Sequence, residues 1–200
     1  MQDDDRDALP TRDALSDRGR SLEEDYFRKK DQELVEKMRL AASRQRAQRE
    51  MGDRTGLHDP EMLEELQALG FTPETVVLLP LMPVVQVAWA EGHVTAAERA
   101  LVMKLARSRG IADGSAADRH LSNLLDTRPD TDVFTRAMRL IRAMLSGHRQ
   151  DQEPLNVDDL VAYCEAIAAA SGGLLGLKRI SGEERAVIET IAAQLKGRNP

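Results

Sequence analysis

Two hundred residues with a formal net charge of −6 and a pI of about 5.3 argue against a broadly basic, nucleic-acid-binding surface. Hydrophobic residues make up 42% of the chain but aromatics only 3%, so a core must be assembled from Leu, Ile, Val, Ala and Met. That palette suits helices packed on helices and speaks against an aromatic-rich β-sandwich. The one cysteine, Cys164, excludes an internal disulfide and a cysteine-rich zinc site. Within LVAYCEAIAAA it reads as a small buried hydrophobe rather than a catalytic thiolate, because no imidazole lies beside it in sequence.

The chain opens with MQDDDRDALP, acidic and without the apolar segment of a secretory signal. About half of residues 1–56 are charged, with almost no Val or Ile. Residues 1–20, which include Pro10 and Gly19, are expected to be disordered. Ser21 followed by Glu24 has the spacing of a capping box, which predicts a helical arm over 21–56. Leu22, Tyr26, Leu34, Met38 and Ala42 recur near the helical period, with Phe27 and Val35 beside them. Glu33 four residues before Lys37 adds a favourable pair on the polar face. An arm with one narrow apolar stripe either lies against its own domain or meets a partner. Its far end carries a local basic cluster, Arg44, Arg46 and Arg49, whose main expected role is to solvate the helix; contact with an anionic membrane surface or a nucleic acid is the minor alternative.

From residue 57 the composition becomes that of a folded domain. Asp59-Pro60 supplies a cap and first helical residue, and Gly70 a stop. Thr72-Pro73 starts a second element, which Pro80 and Pro83 must kink or divide. The run VVLLPLMPVVQVAWA (76–90) is too short for a standard membrane span and carries both prolines, so it reads as core and the chain as cytoplasmic. Thr95 with Glu98 forms a capping box that opens a helix ending near Gly110. Helices over about 115–126 and 131–146 follow, then one capped by Asn156, and a last one opened by Ser181 with Glu184 and ending near Lys196. No alternating strand pattern of useful length is present, and the predicted class is all-α.

Several chemistries are excluded by spacing. An EF-hand placing Glu98 at its twelfth position would put Val87 and Trp89 at positions one and three, where apolar side chains supply no oxygen. No phosphate loop, HExxH pair or nucleophile elbow occurs. His93 reads as an exposed turn residue, and Leu174, Leu175 and Leu177 as a plug for the core in preference to a small docking patch.

Two segments align without gaps: VTAAERALVMKLARSRGI (94–111) and ISGEERAVIETIAAQLKG (180–197). Each has a β-branched residue, a hydroxyl cap, Glu-Arg-Ala and matched apolar spacing, and each follows an apolar helix ending in a glycine-containing turn. Half-repeats over about 73–111 and 157–197 predict an internally duplicated bundle. VQVAWAEGHVTAAERALV, with AIAAASGGLLGLKRISGEERAVI as a looser second match, resembles the two signatures of the TerB (tellurite-resistance) family over about 57–200. The resemblance implies a compact all-helical, non-enzymatic stress-response or scaffolding module. It also implies a divalent cation held by acidic residues, which here are Glu91, Glu98 and Glu184. The acid of the family's second half is replaced by Ser171-Gly172 and the extra residues GLLGLKR.

The arm carries a shorter likeness. SLEEDYFRKKDQELVEKMRLA (21–41) is similar to the inhibitory helix of the F1-ATPase inhibitor family: Glu23, Glu24, Tyr26, Phe27 and Arg28 match, and Val35 and Met38 stand for leucines. It implies, as an alternative function, regulation of an F1-type ATPase through the 21–50 helix. More generally, Leu22, Tyr26, Phe27, Arg28, Leu34 and Met38 are the expected contacts of a protein partner or of a second copy of the chain.

Overall fold

The structure is a computed structural model and describes residues 12–146, 156–171 and 180–197, with side chains from Glu23 onward except Ser171. Every regular element among them is helical: α1 Arg12–Thr55, α2 Pro60–Ala68, a 3-10 helix Val76–Leu81, α3 Met82–Ala88, α4 Ala96–Ser108, α5 Ala116–Asp126, α6 Thr131–Ser146, α7 Val157–Ser171 and α8 Gly182–Leu195. The all-α expectation holds. The chain divides into two units, one up to Arg46 and one from Ala47 onward.

In the first unit α1 is continuous through Ser21, so the Ser21–Glu24 pair is not a helix start. The helix begins at Arg12, nine residues earlier, and takes in part of the stretch expected to be disordered. A capping box works only if the serine backbone is non-helical. A run of Arg, Asp, Ala and Leu with only Gly19 against it carries the helix past that serine. The side chains of residues 23–46 are exposed, apart from a half-buried Glu33. Local pairs dress the helix: Arg28 with Asp25 at 2.8 Å and Lys30 with Glu33 at 3.2 Å. The Tyr26 and Phe27 rings meet edge to face at 5.8 Å.

The second unit takes in the last turns of α1. Met51 is fully buried there, in the same core as Leu57, Leu63 and Leu66. Gly52 is required by a close approach, because a Cβ would stand 2.8 Å from the Leu57 carbonyl oxygen. Thr55 Oγ1 donates to the Met51 carbonyl at 2.8 Å and accepts from the Leu57 N–H at 3.2 Å. Gly56, at φ +74°, then turns the chain in a conformation that L side chains rarely adopt. Local chemistry sets the next boundaries as the sequence predicts. Asp59 accepts from the Glu61 N–H with Pro60 at the first helical position, and Gly70 (φ +83°) ends the element. The two prolines divide the following apolar run into the 3-10 helix, which contains Pro80, and α3, where Pro83 occupies the first turn.

Helix α3 is the spine. Its residues Val84, Val85 and Val87 are fully buried, and it packs against α7, α6, α8, α4 and α5. Helix α7 in turn packs on α4 and α8, and α6 on α8. Leu140, Ile141, Leu160, Ile167 and Ile191 close the core. Cys164 lies on α7 with no exposed surface, and burial, followed by the charge of Glu165, pushes its thiol up to about 12. Polar ties hold the rim. Trp89 Nε1 donates to the Leu124 carbonyl at 2.9 Å, fixing the end of α3 to α5. Glu65 on α2 accepts from Arg136 Nε at 2.9 Å and from Arg139 on α6. Burial pushes the Glu65 carboxyl up, but the bonds and charges of the two arginines outweigh it and leave it below its ordinary range. Between α4 and α5, Asp118 accepts from the Gly114 N–H at 2.9 Å and from Arg107 at 2.6 Å, the first of which does most to lower its carboxyl.

Candidate functional site

Two features of the sequence pointed to chemistry: the acids at the starts of α4 and α8, and the apolar stripe of α1. Both helix starts have the predicted reciprocal cap. Thr95 Oγ1 accepts from the Glu98 N–H at 3.2 Å, while Glu98 Oε2 accepts from the Thr95 N–H and from its hydroxyl, both at 2.7 Å. Ser181 Oγ accepts from the Glu184 N–H at 3.1 Å, and Glu184 Oε2 accepts from the Ser181 N–H at 2.7 Å. Both carboxylates are buried, Glu98 at 3% exposure and Glu184 at 1%. Shielded from water, they satisfy backbone donors that each helix start would otherwise leave unpaired.

Burial raises the Glu98 carboxyl above its ordinary value; the Thr95 bonds oppose this, and the charges of Glu184 and Glu91 add to it. The fold therefore brings Glu184 and Glu91 within electrostatic reach of Glu98. Glu91 is exposed in the turn before α4, where Gly92 sits at φ +82° and His93 Nδ1 lies 3.3 Å from the Glu91 carbonyl oxygen. Among the described residues no group of three or more His, Cys, Asp or Glu is arranged to hold a metal ion. The second-half turn at Gly172–Arg179, with Leu174, Leu175 and Leu177, lies outside the described residues, as does the side chain of Ser171.

On α1 the predicted contacts are presented openly: Tyr26 at 59% exposure, Phe27 at 62%, Leu34 at 56% and Met38 at 64%, joined by Val35 and Leu40. Arg28 pairs with Asp25, and Leu22 is helical with its side chain outside the described residues. Charge along this helix is polarised: residues 23–36 hold six acids against three bases, and residues 37–50 five bases against one acid.

Sequence reasoning missed a third feature. A cavity of about 310 Å³ in the second unit is lined by Arg54, Thr55, Val76, Val77, Pro80, Arg109 and Met144. Its residues come from α1, the 3-10 helix, the end of α4 and α6, and no local motif joins them. Among the described residues no helix is long and apolar enough to cross a membrane. Comparison with known protein families, with curated proteins and with solved structures finds no match to this chain.

Proposed function

We propose that the protein is a non-enzymatic, TerB-like stress-response module in which the helical unit is a rigid base and α1 is the partner-binding element. The observation that carries the second half of this reading is the segregation of exposed apolar surface. Of the seven large hydrophobic side chains that stand exposed among the described residues, six lie on α1 between Tyr26 and Leu40. Apolar side chains gathered on an otherwise charged helix are anchors for a protein groove or a second helix. The polarised charge favours a helix running antiparallel, acid against base, and a second copy of α1 has that layout.

The TerB-like half of the reading is supported by the matched starts of α4 and α8, each a hydroxyl cap with a buried glutamate at the third helical position. Packing is reciprocal in the same sense. Helices α3 and α7 meet each other, and each also packs on the capped helix that follows the other. That is the pattern expected of a helix pair used twice.

The test is quantitative capture from the native cell, comparing the full chain with a Tyr26→Ala/Phe27→Ala variant, alongside sedimentation of both. A specific partner or a dimer that the double variant loses is the expected result. Capture and self-association unchanged by the double substitution would remove α1 from the mechanism.

A further inference from the structure

We propose that the cavity between the end of α4 and the 3-10 helix is a binding site for a small amphiphilic carboxylate. Arg54 and Arg109 border the same cavity, and no acidic side chain lines it. Neither arginine forms an ion pair among the described residues. Glu74 feels the charge of Arg54, but its carboxylate accepts the Thr72 hydroxyl at 2.7 Å instead.

Arg109 is held in place by its surroundings. It is the C-terminal cap residue of α4, and its guanidinium lies over the Tyr163 ring at 5.1 Å from the centroid. Its Nε is buried and has no hydrogen-bond partner. A buried donor left unpaired is costly to begin with, and two cations bordering one cavity repel each other. The repulsion falls when an anion enters, and the planar fork of a guanidinium matches a carboxylate in particular.

The remaining walls specify the body of the ligand. Val76, Val77, Pro80 and Met144 are apolar, and Val77 is the one large hydrophobic side chain exposed, at 41%, among the described residues of this unit. An inorganic anion would leave that wall wet, and a neutral alkyl compound would leave the arginines unanswered. A volume of 310 Å³ is at the lower end of the range of about 300–1,000 Å³ typical of small-molecule pockets, which suits a short acyl or aryl chain with one charged head.

The test is calorimetric titration of the full chain with octanoate, with octanol and with inorganic phosphate. Octanoate is expected to bind, and octanol and phosphate each to bind at least about tenfold more weakly. Arg54→Gln and Val77→Asp alter exposed or half-exposed side chains that the fold does not need, and each is expected to weaken octanoate by about tenfold or more with the melting temperature unchanged. Arg109→Lys keeps the charge, removes the fork and is expected to weaken binding as well. No binding of octanoate up to about 10 mM, equal affinity for octanol or for phosphate, or octanoate binding indifferent to both Arg54→Gln and Val77→Asp would each overturn the assignment.

Discussion

Residues 23–46 of α1 and the α3–α7 pair are all helical, yet different forces hold them. The arm segment keeps its side chains in water and relies on backbone hydrogen bonds, helix-forming residues and pairs such as Arg28–Asp25, each worth about 0.3–0.5 kcal/mol at most. Helix α3 is seven residues long, too short to persist alone, and exists because Val84, Val85 and Val87 are removed from water on all sides. Length makes the first helix plausible by itself; burial makes the second one necessary. One region is therefore free to spend its apolar residues on a partner, while the other has already committed them.

The sharpest way to break this contrast is to truncate matched side chains in both regions. Ile191→Ala, at a position with no exposed surface, is expected to cost about 3 kcal/mol in urea unfolding, because it loses transfer energy and leaves a cavity. Leu34→Ala, 56% exposed, is expected to change stability by less than about 0.5 kcal/mol. Equal losses at the two sites would show that the arm is as tightly packed as the core.

A smaller effect is expected at the tie between α2 and α6. Glu65→Ala removes the acceptor that Arg136 and Arg139 share, and since Arg139 is 64% exposed and Arg136 keeps its pair with Asp132 the loss should be about 1–2 kcal/mol. The folded carboxyl lies below its ordinary value of 4.5, so its contribution is present in full above that value and fades as pH falls through the lowered one. The difference in melting temperature between wild type and Glu65→Ala should therefore shrink in acid. A difference that does not vary with pH would mean that the side chain acts by packing alone.

The smallest effect concerns Glu98, whose sign is opposite. Its carboxyl is raised in the fold, so the folded state holds the proton more firmly than the unfolded chain. The stability this provides is complete below 4.5 and is lost as pH rises through the raised value. Glu98→Gln preserves a side-chain acceptor for the Thr95 N–H and removes the repulsion from Glu184 and Glu91. The variant is expected to match or slightly exceed the wild-type melting temperature at neutral pH and to lack the decline that begins near 4.5. A clear drop at neutral pH would instead assign the Glu98 charge a favourable partner.

What could be read in advance follows the same division. Boundaries written in adjacent residues, such as Asp59-Pro60, Thr95 with Glu98, Ser181 with Glu184 and the break at Pro80 and Pro83, are legible because their physics is local. Ser21 with Glu24 has the same letters and fails, since a capping motif needs a chain break that the preceding residues do not supply. Met51 was hidden inside a charged segment whose composition predicts exposure. The Glu65–Arg136 and Glu65–Arg139 bonds span 71 and 74 residues, and no spacing rule reaches that far. The cavity with Arg54 and Arg109 is invisible for the same reason: four separate elements must meet before it exists. Among the candidate acids, the caps were readable, and the nearness of Glu184 to Glu98 followed only from α4 and α8 both packing on α3 and α7.

The thiol of Cys164 gives the core a reporter of its own. With no surface exposed and its ionisation pushed up to about 12, it is shut off from alkylating reagents twice over, by access and by protonation. Any modification then records a moment when α7 has swung clear of its neighbours. Because there is one cysteine in the chain, the labelling rate at increasing reagent concentration becomes a stopwatch for that opening. It could be read without an added probe, and with residues 23–46 left in water as an unlabelled bystander.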